Sequence, residues 1–249
     1  MLVDVVNYGG EFDVLLARLD CLDADVTVLV EGDRQFQGQV KGWTFEERRD
    51  EVPENFTDRL WHVAVKSAQD SNPWVNEAHQ RDAAIATLQD LDLPGDAIMG
   101  VFDVDEFPDP NLIRMQSEIT AWNMSKFQMS LYWYQQDELT GFSGAWDYLR
   151  GQSFQQLRMR RNGLPAFKAG FHFSSFGDLA ETLRKWDGFS HTELKRANMG
   201  AWVEQCWREG RAIENGQLLQ ERNYLDEDFP KFMLELDGPS HWYRRRGAD

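Results

Sequence analysis

An α/β fold, with a mostly parallel central sheet flanked by helices, is what this sequence predicts, and three observations carry it. Over residues 1–110 short apolar runs alternate with stretches of helical periodicity, in the order β-α-β-loop-β-α-β. Acids stand where such runs end, Glu31 after one and Asp103, Asp105 and Glu106 after another, and in open α/β sheets ligands bind at the carboxyl ends of strands. The 249 residues suffice for one large α/β domain or two small ones. No internal repeat, low-complexity tract or Pro/Gly linker divides them, so the expectation is one domain spanning 1–249 with a C-terminal elaboration.

Taken in order, Leu2–Tyr8 reads as the first strand. Phe12–Leu22 is helical, because apolar residues fall at 12, 15, 16, 19 and 22. The run at 26–31 is a second strand and 61–65 a third. Residues 76–91 form a helix with Ala83, Ala84, Ile85 and Leu88 on its apolar side. The Leu-Pro-Gly-Asp turn at 93–96 leads into a buried strand at 97–102, and Pro108 and Pro110, lacking backbone donors, forbid its continuation. Beyond it the pattern predicts a helix over 111–122 and a half-buried strand over the alternating 126–133. Further strands are expected at 154–160 and 166–174, helices at 179–186 and 193–208, and weak structure after 215.

Composition narrows the function. At 42% hydrophobic and 27% charged the chain has ordinary globular usage. A net charge of −16 argues against a nucleic-acid backbone or an anionic membrane as the main partner, since either needs basic surface. Two local basic stretches exist, Arg158 with Arg160 and Arg161, and Arg244 to Arg246. Cys21 and Cys206 cannot alone make a disulfide framework or a zinc site. No apolar run approaches the ~18 residues of a membrane span, and no basic leader with a cleavage site opens the chain, so a cytoplasmic setting without a membrane partner is expected. Ten tryptophans suit a core and also suit stacking on sugars or bases.

The acid-rich strand end is the most informative motif. Asp103 and Asp105, two apart, share a face if the segment stays extended. Like charges that close need a cation between them, and a hard divalent ion held by carboxylates and substrate phosphates is one answer; an acid-rich turn without a metal is another. Asn7-Tyr8-Gly9-Gly10-Glu11 follows the first strand without a G-x-G-x-x-G or a Walker lysine, so it is either a close-approach turn for a ligand or an ordinary βα turn. Glu77 and Arg81 suit an i,i+4 ion pair, or an arginine reaching a phosphate or base. His172, Lys185, His191 and Glu193 cluster later in the sequence. Each histidine is either a satisfied structural group or part of an oxygen-rich cation site, and Lys185 suits neutralising a phosphate.

In order along the chain, Asp4-Val-Val-Asn-Tyr, Glu11-Phe-Asp-Val-Leu with Arg18-Leu19, Leu29-Val-Glu31, Glu77-x-x-Gln80-Arg81, Phe102-Asp-Val-Asp-Glu-Phe-Pro108, Gly170-Phe-His-Phe-Ser174 and Lys185 with Phe189-Ser-His-Thr-Glu193 resemble glycosyltransferase family 17, over residues 3–196. The resemblance implies a GT-A fold, a nucleotide-sugar donor such as a UDP-sugar, an acceptor hydroxyl on a glycan, inversion at the anomeric carbon, and Mn²⁺ or Mg²⁺. It also implies a donor-binding half at 1–110, an acceptor-side half at 111–214 and an extension at 215–249. Carried over by position, Asp103 and Asp105 hold the metal and diphosphate with His191. Asn7, Tyr8, Glu11, Glu31, Arg81 and His172 serve the donor, and Lys185 the leaving group. The general base is left among Glu106, Asp137, Glu138 and Glu193. The stretch Phe171-His172-Phe173-Ser174-Ser175-Phe176 departs from the family's pattern, so acceptor specificity does not carry over. Other readings kept open are transfer to a hydroxylated base in DNA, a metal-dependent phosphohydrolase and a non-catalytic carbohydrate-binding protein.

Overall fold

A computed structural model of the protein describes residues 1–221, the side chains of residues 136 and 137 excepted. Strand β1 (Leu2–Tyr8) is followed by α1 (Phe12–Leu22), β2 (Val26–Gly32), the short helices α2 (Thr44–Arg48) and α3 (Glu54–Thr57), and β3 (Leu60–Val65). Helices α4 (Pro73–Asp82) and α5 (Ala84–Asp90) lead to β4 (Ile98–Asp103), then β5 (Glu106–Phe107) and α6 (Pro110–Ile113). The second half runs β6 (Thr120–Gln128), β7 (Trp133–Ala145), α7 (Trp146–Leu149), α8 (Phe154–Met159), β8 (Ala166–Ser174), α9 (Leu179–Gly188), α10 (Met199–Glu209) and β9 (Gln220–Glu221).

One curled sheet unites these strands in the order β3-β2-β1-β4-β7-β6-β8-β5, with β9 on β7. The pairings β3-β2-β1-β4 are parallel, as is β6 with β8, while β7 pairs antiparallel with β4 and β6. The expected α/β class, mostly parallel and flanked by helices, is therefore borne out. Every residue of β1 is buried, as a strand covered on both faces requires. Val6, Leu15 and Leu29 pack on one side of the sheet with Phe107, Phe127 and Phe173. Val3, Val5, Val28 and Val101 pack on the other with Leu88, Phe142 and Phe154. Asp4 points into the first side, where Arg18 of α1 grips it with two hydrogen bonds of 2.8 and 2.6 Å and also donates to the Glu106 carbonyl. Removing one partner of so buried a pair costs about 3–5 kcal/mol.

The first half follows the sequence closely; the second corrects it. The helix expected over 111–122 is a single turn, α6, capped by Asp109, whose carboxylate accepts from the Asn111 and Leu112 amides. From Thr120 the chain joins the sheet, where ladders to β7 and β8 outweigh local helix preference. The alternating stretch 126–133 is not one strand: β6 ends at Gln128, Met129 takes a left-handed φ of 65°, and β7 starts at Trp133. Residues 154–160 are helix rather than strand, since Ser153 caps the Gln156 amide and Phe154 and Leu157, three apart, bury one face. The helix expected from 193 begins only at Met199, where Asn198 accepts from the Ala201 amide. Most of the 215–249 extension, including Arg244 to Arg246, lies outside the described residues.

Candidate active site

A cleft of about 720 Å³ opens where the carboxyl ends of β1 and β4 meet β7, β8, α8 and α9. Among the described residues seven carboxylates line it, Glu11, Glu77, Asp103, Asp105, Glu106, Glu138 and Glu214. So do seven fixed cations, Arg34, Lys41, Lys126, Arg158, Arg161, Arg184 and Lys185. In a chain of 42 acids and 26 Lys and Arg, that balance makes the cleft far less negative than the rest of the chain. An anionic ligand is repelled less here than elsewhere.

Asp103 ends β4, and Val104 and Asp105 form a turn before β5. The extended geometry that would align the two aspartates is thus broken, and each meets its own set of cations. Asp103 Oδ1 accepts from Asn7 Nδ2 at 3.2 Å and Arg81 Nη1 at 2.9 Å, and its Oδ2 accepts from Arg158 Nη2 at 2.6 Å. Arg158 also spans both oxygens of Glu106, at 2.7 and 2.9 Å, while Glu106 accepts the Asp103 amide. Burial favours the neutral acid, but Arg158 and Arg81 outweigh it and hold the Asp103 carboxyl below its ordinary value. Both arginines are themselves anchored. Arg81 donates to Gln155 and Glu77, so the anticipated Glu77–Arg81 pair and a reach towards the acid motif exist together. Glu77 in turn accepts from Ser190.

Asp105 is met differently. Its Oδ2 lies 2.6 Å from Lys185 Nζ and 3.6 Å from His172 Nε2. Burial opposes ionisation, yet Lys185 and His172 together drive this carboxyl well below the usual range. His172 Nδ1 bonds Glu138 at 3.0 Å, and Glu138 also pairs with Lys126 at 3.1 Å. Burial would lower the His172 pKa, but Asp105 and Glu138 raise it to about 9, so the ring is cationic at neutral pH. Lys126 reaches Glu214, which Gln128 also contacts. Lys126 and Gln128 of the alternating stretch are buried because they serve this network.

The residues singled out by sequence divide into three groups. Asn7, Tyr8, Glu11, Asp103, Asp105, Glu106, Glu138, His172, Lys185 and His191 line the cleft. Gly10 adopts φ 118° there, and a side chain in its place would strike Arg184 and Thr44, so the turn after β1 needs glycine. Glu31 and Arg81 lie behind the surface. Glu31 is fully buried and accepts from Lys41, from the Thr44 hydroxyl and amide and from the Phe45 amide, which fixes the start of α2. Glu193 stands apart: its side chain is 62% exposed and bonds His191, whose ring meets Trp74 edge-on at 4.6 Å. Asp103, Asp105 and His191 do not gather around one point, and among the described residues no group of three or more His, Cys, Asp or Glu is disposed to hold a metal. The side chain of Asp137 lies outside the described residues.

Arg158, read from sequence as part of a basic stripe, turns inward to the acids, and Arg161 also lines the cleft while Arg160 is exposed. The helical spacing of Phe154 and Leu157 after Ser153 was the signal for this, since it sets Arg158 on a helix packed near α4. Glu214, Lys126 and Gln155 carry no sequence signal of a site.

The family model of glycosyltransferase family 17 matches residues 1–219. The chain belongs to glycosyltransferase family 17. It is accordingly a glycosyltransferase, with a sugar donor and an acceptor in general. No curated protein matches the chain. Among the described residues no helix is long and apolar enough to cross a membrane.

Proposed function

We propose that this family 17 glycosyltransferase moves a hexose, of the N-acetylglucosamine class, from a UDP-sugar to a hydroxyl of a glycan acceptor in one inverting displacement on a GT-A scaffold. The observation that carries the reading is the pairing of Asp105 with Lys185 and His172 at the carboxyl end of a parallel sheet, inside a charge-balanced cleft. A departing nucleoside diphosphate needs preorganised positive charge, and Lys185 on α9 is placed to supply it, with Arg184 beside it.

The donor set fits a divalent ion of one kind. Asp103 is saturated by two arginines and Asn7, whereas Asp105 is a hard oxygen ligand whose partners are a flexible lysine and a histidine. Mg²⁺ and Mn²⁺ accept one or two carboxylates completed by substrate phosphates and water. Asp105 would hold such an ion together with the diphosphate, and the ion would add charge neutralisation at the leaving group. Asp103, Glu106, Arg81 and Arg158 fix the turn that presents it.

Glu138 is the acceptor-side base in this reading. Of the four carboxylates considered, Glu106 is spanned by Arg158, Glu193 faces outward and the Asp137 side chain lies outside the described residues. Glu138 lines the cleft with its side chain 42% exposed. Burial favours its neutral form, but His172 and Lys126 hold it well below the ordinary value, so it is ionised at neutral pH, and an acceptor hydroxyl that displaces one of these cations would meet a stronger base. The test is UDP-sugar turnover with Mn²⁺ or Mg²⁺ by wild type and Asp105→Ala. The expected loss is about 10²–10³-fold in kcat; full activity in the variant, or indifference to EDTA, overturns the site.

A further inference from the structure

Lys185 has a second role, which rests on the reading of the cleft as a diphosphate–cation site. Its ammonium bridges two carboxylates from different parts of the chain, 2.6 Å from Asp105 Oδ2 and 3.3 Å from Glu11 Oε1. Among the described residues the second oxygen of Glu11 is buried without a hydrogen-bond partner, so one ammonium serves two acids incompletely. The contrast with Asp103 is chemical. Asp103 is held by guanidinium groups that are themselves locked, Arg158 across Glu106 and Arg81 on Gln155 and Glu77. A lysine is a point charge on a flexible four-carbon stem, and this one is 25% exposed at the cleft wall, able to swing without leaving the site.

We propose that Lys185 is a tethered stand-in cation: in the donor-free protein its ammonium occupies the place at Asp105 that a divalent ion takes when a nucleoside diphosphate binds, and Lys185 then turns to the diphosphate. A divalent ion arriving alone must displace the ammonium and leave it stranded beside a second positive charge. A diphosphate arriving with the ion brings the negative charge that receives both. Metal and nucleotide therefore bind as a coupled pair, each raising the affinity of the other by the same factor. The free protein keeps its acids compensated without a metal, and the cleft does not fill with cation in the absence of donor.

The experiment is a Mn²⁺ titration followed by electron paramagnetic resonance, on the full chain with and without UDP, for wild type, Lys185→Met, Lys185→Gln and Asp105→Asn. Wild type is expected to bind Mn²⁺ weakly alone and at least about tenfold more tightly with UDP. Both Lys185 variants are expected to bind Mn²⁺ alone at least about tenfold more tightly than wild type and to lose most of the gain from UDP. Asp105→Asn should bind little under either condition. Lys185 variants that bind Mn²⁺ alone no better than wild type, while wild type keeps its UDP-dependent binding, overturn the stand-in role and leave the cation site standing. Wild type that fails to bind Mn²⁺ even with UDP overturns both.

Discussion

Asp103 and Asp105 are two residues apart, yet the halves of the cleft they anchor are built on opposite principles. Asp103 shares Arg158 with Glu106, takes Arg81 and Asn7 besides, and every one of these partners is tied to something else. Asp105 leans on Lys185 and His172, a long single-point cation and a titratable ring, and through His172 it touches Glu138 and Lys126. Arginine forks make a rigid lattice because their planar geometry fixes two bonds at once. Lysine and histidine compensate the same charge without fixing the geometry. Two acids of one motif can thus be, respectively, the frame and the working part.

Four substitutions press on this contrast. Glu138→Gln, in the Asp105 half, should reduce kcat by about 10²–10⁴-fold while UDP binding by calorimetry changes little; an equal loss of UDP affinity would move Glu138 from the acceptor to the donor. Arg158→Ala, in the rigid half, should lower the unfolding free energy in urea by about 3–5 kcal/mol, because Asp103 and Glu106 are left buried with a deficit of positive charge. Arg158→Lys should fall between, keeping the charge and losing the fork. A variant as stable as wild type would erase the distinction between the halves. The smallest effect is on pH. The folded-state pKa of His172, raised to about 9, exceeds its ordinary value of 6.5. Its stabilising contribution is therefore complete below pH ~6.5 and lost as pH rises through ~9. Unfolding free energy should decline across that window in wild type and run flatter in His172→Gln.

The two halves also differ in how far the sequence discloses them. β1, α1, β2 and β4 are legible because Val-rich runs and a 3.6-residue stripe are local signals, and the acids at 103–106 announce a strand end. The 13-residue β7 is hidden by the polar stretch Gln135, Gln136, Asp137 and Glu138 in its first half, which breaks the apolar pattern. Thr120–Gln128 is a strand because of partners in β7 and β8, not because of its own pattern. Arg158 is the clearest case: the spacing of Phe154 and Leu157 sets it on a helix, but its contact with Glu106 spans 52 positions, so no local pattern discloses the buried acids it meets. Glu31 misleads in the opposite sense, since an acid closing a strand looks like a ligand contact and here organises the start of α2.

Helices α9 and α10 have an apolar centre of their own, Trp186, Val203 and Cys206 packed with Ala212, Ile213 and Leu219, which touches the sheet through Met129 and Trp133. Lys185 is carried by this unit, whereas Asp105 is carried by the sheet. Lys185 and the acid it pairs with are thus inherited from two separately packed pieces. Substitutions inside the α9–α10 unit can therefore shift Lys185 relative to Asp105 while the sheet, and the acids it carries, stay as they are.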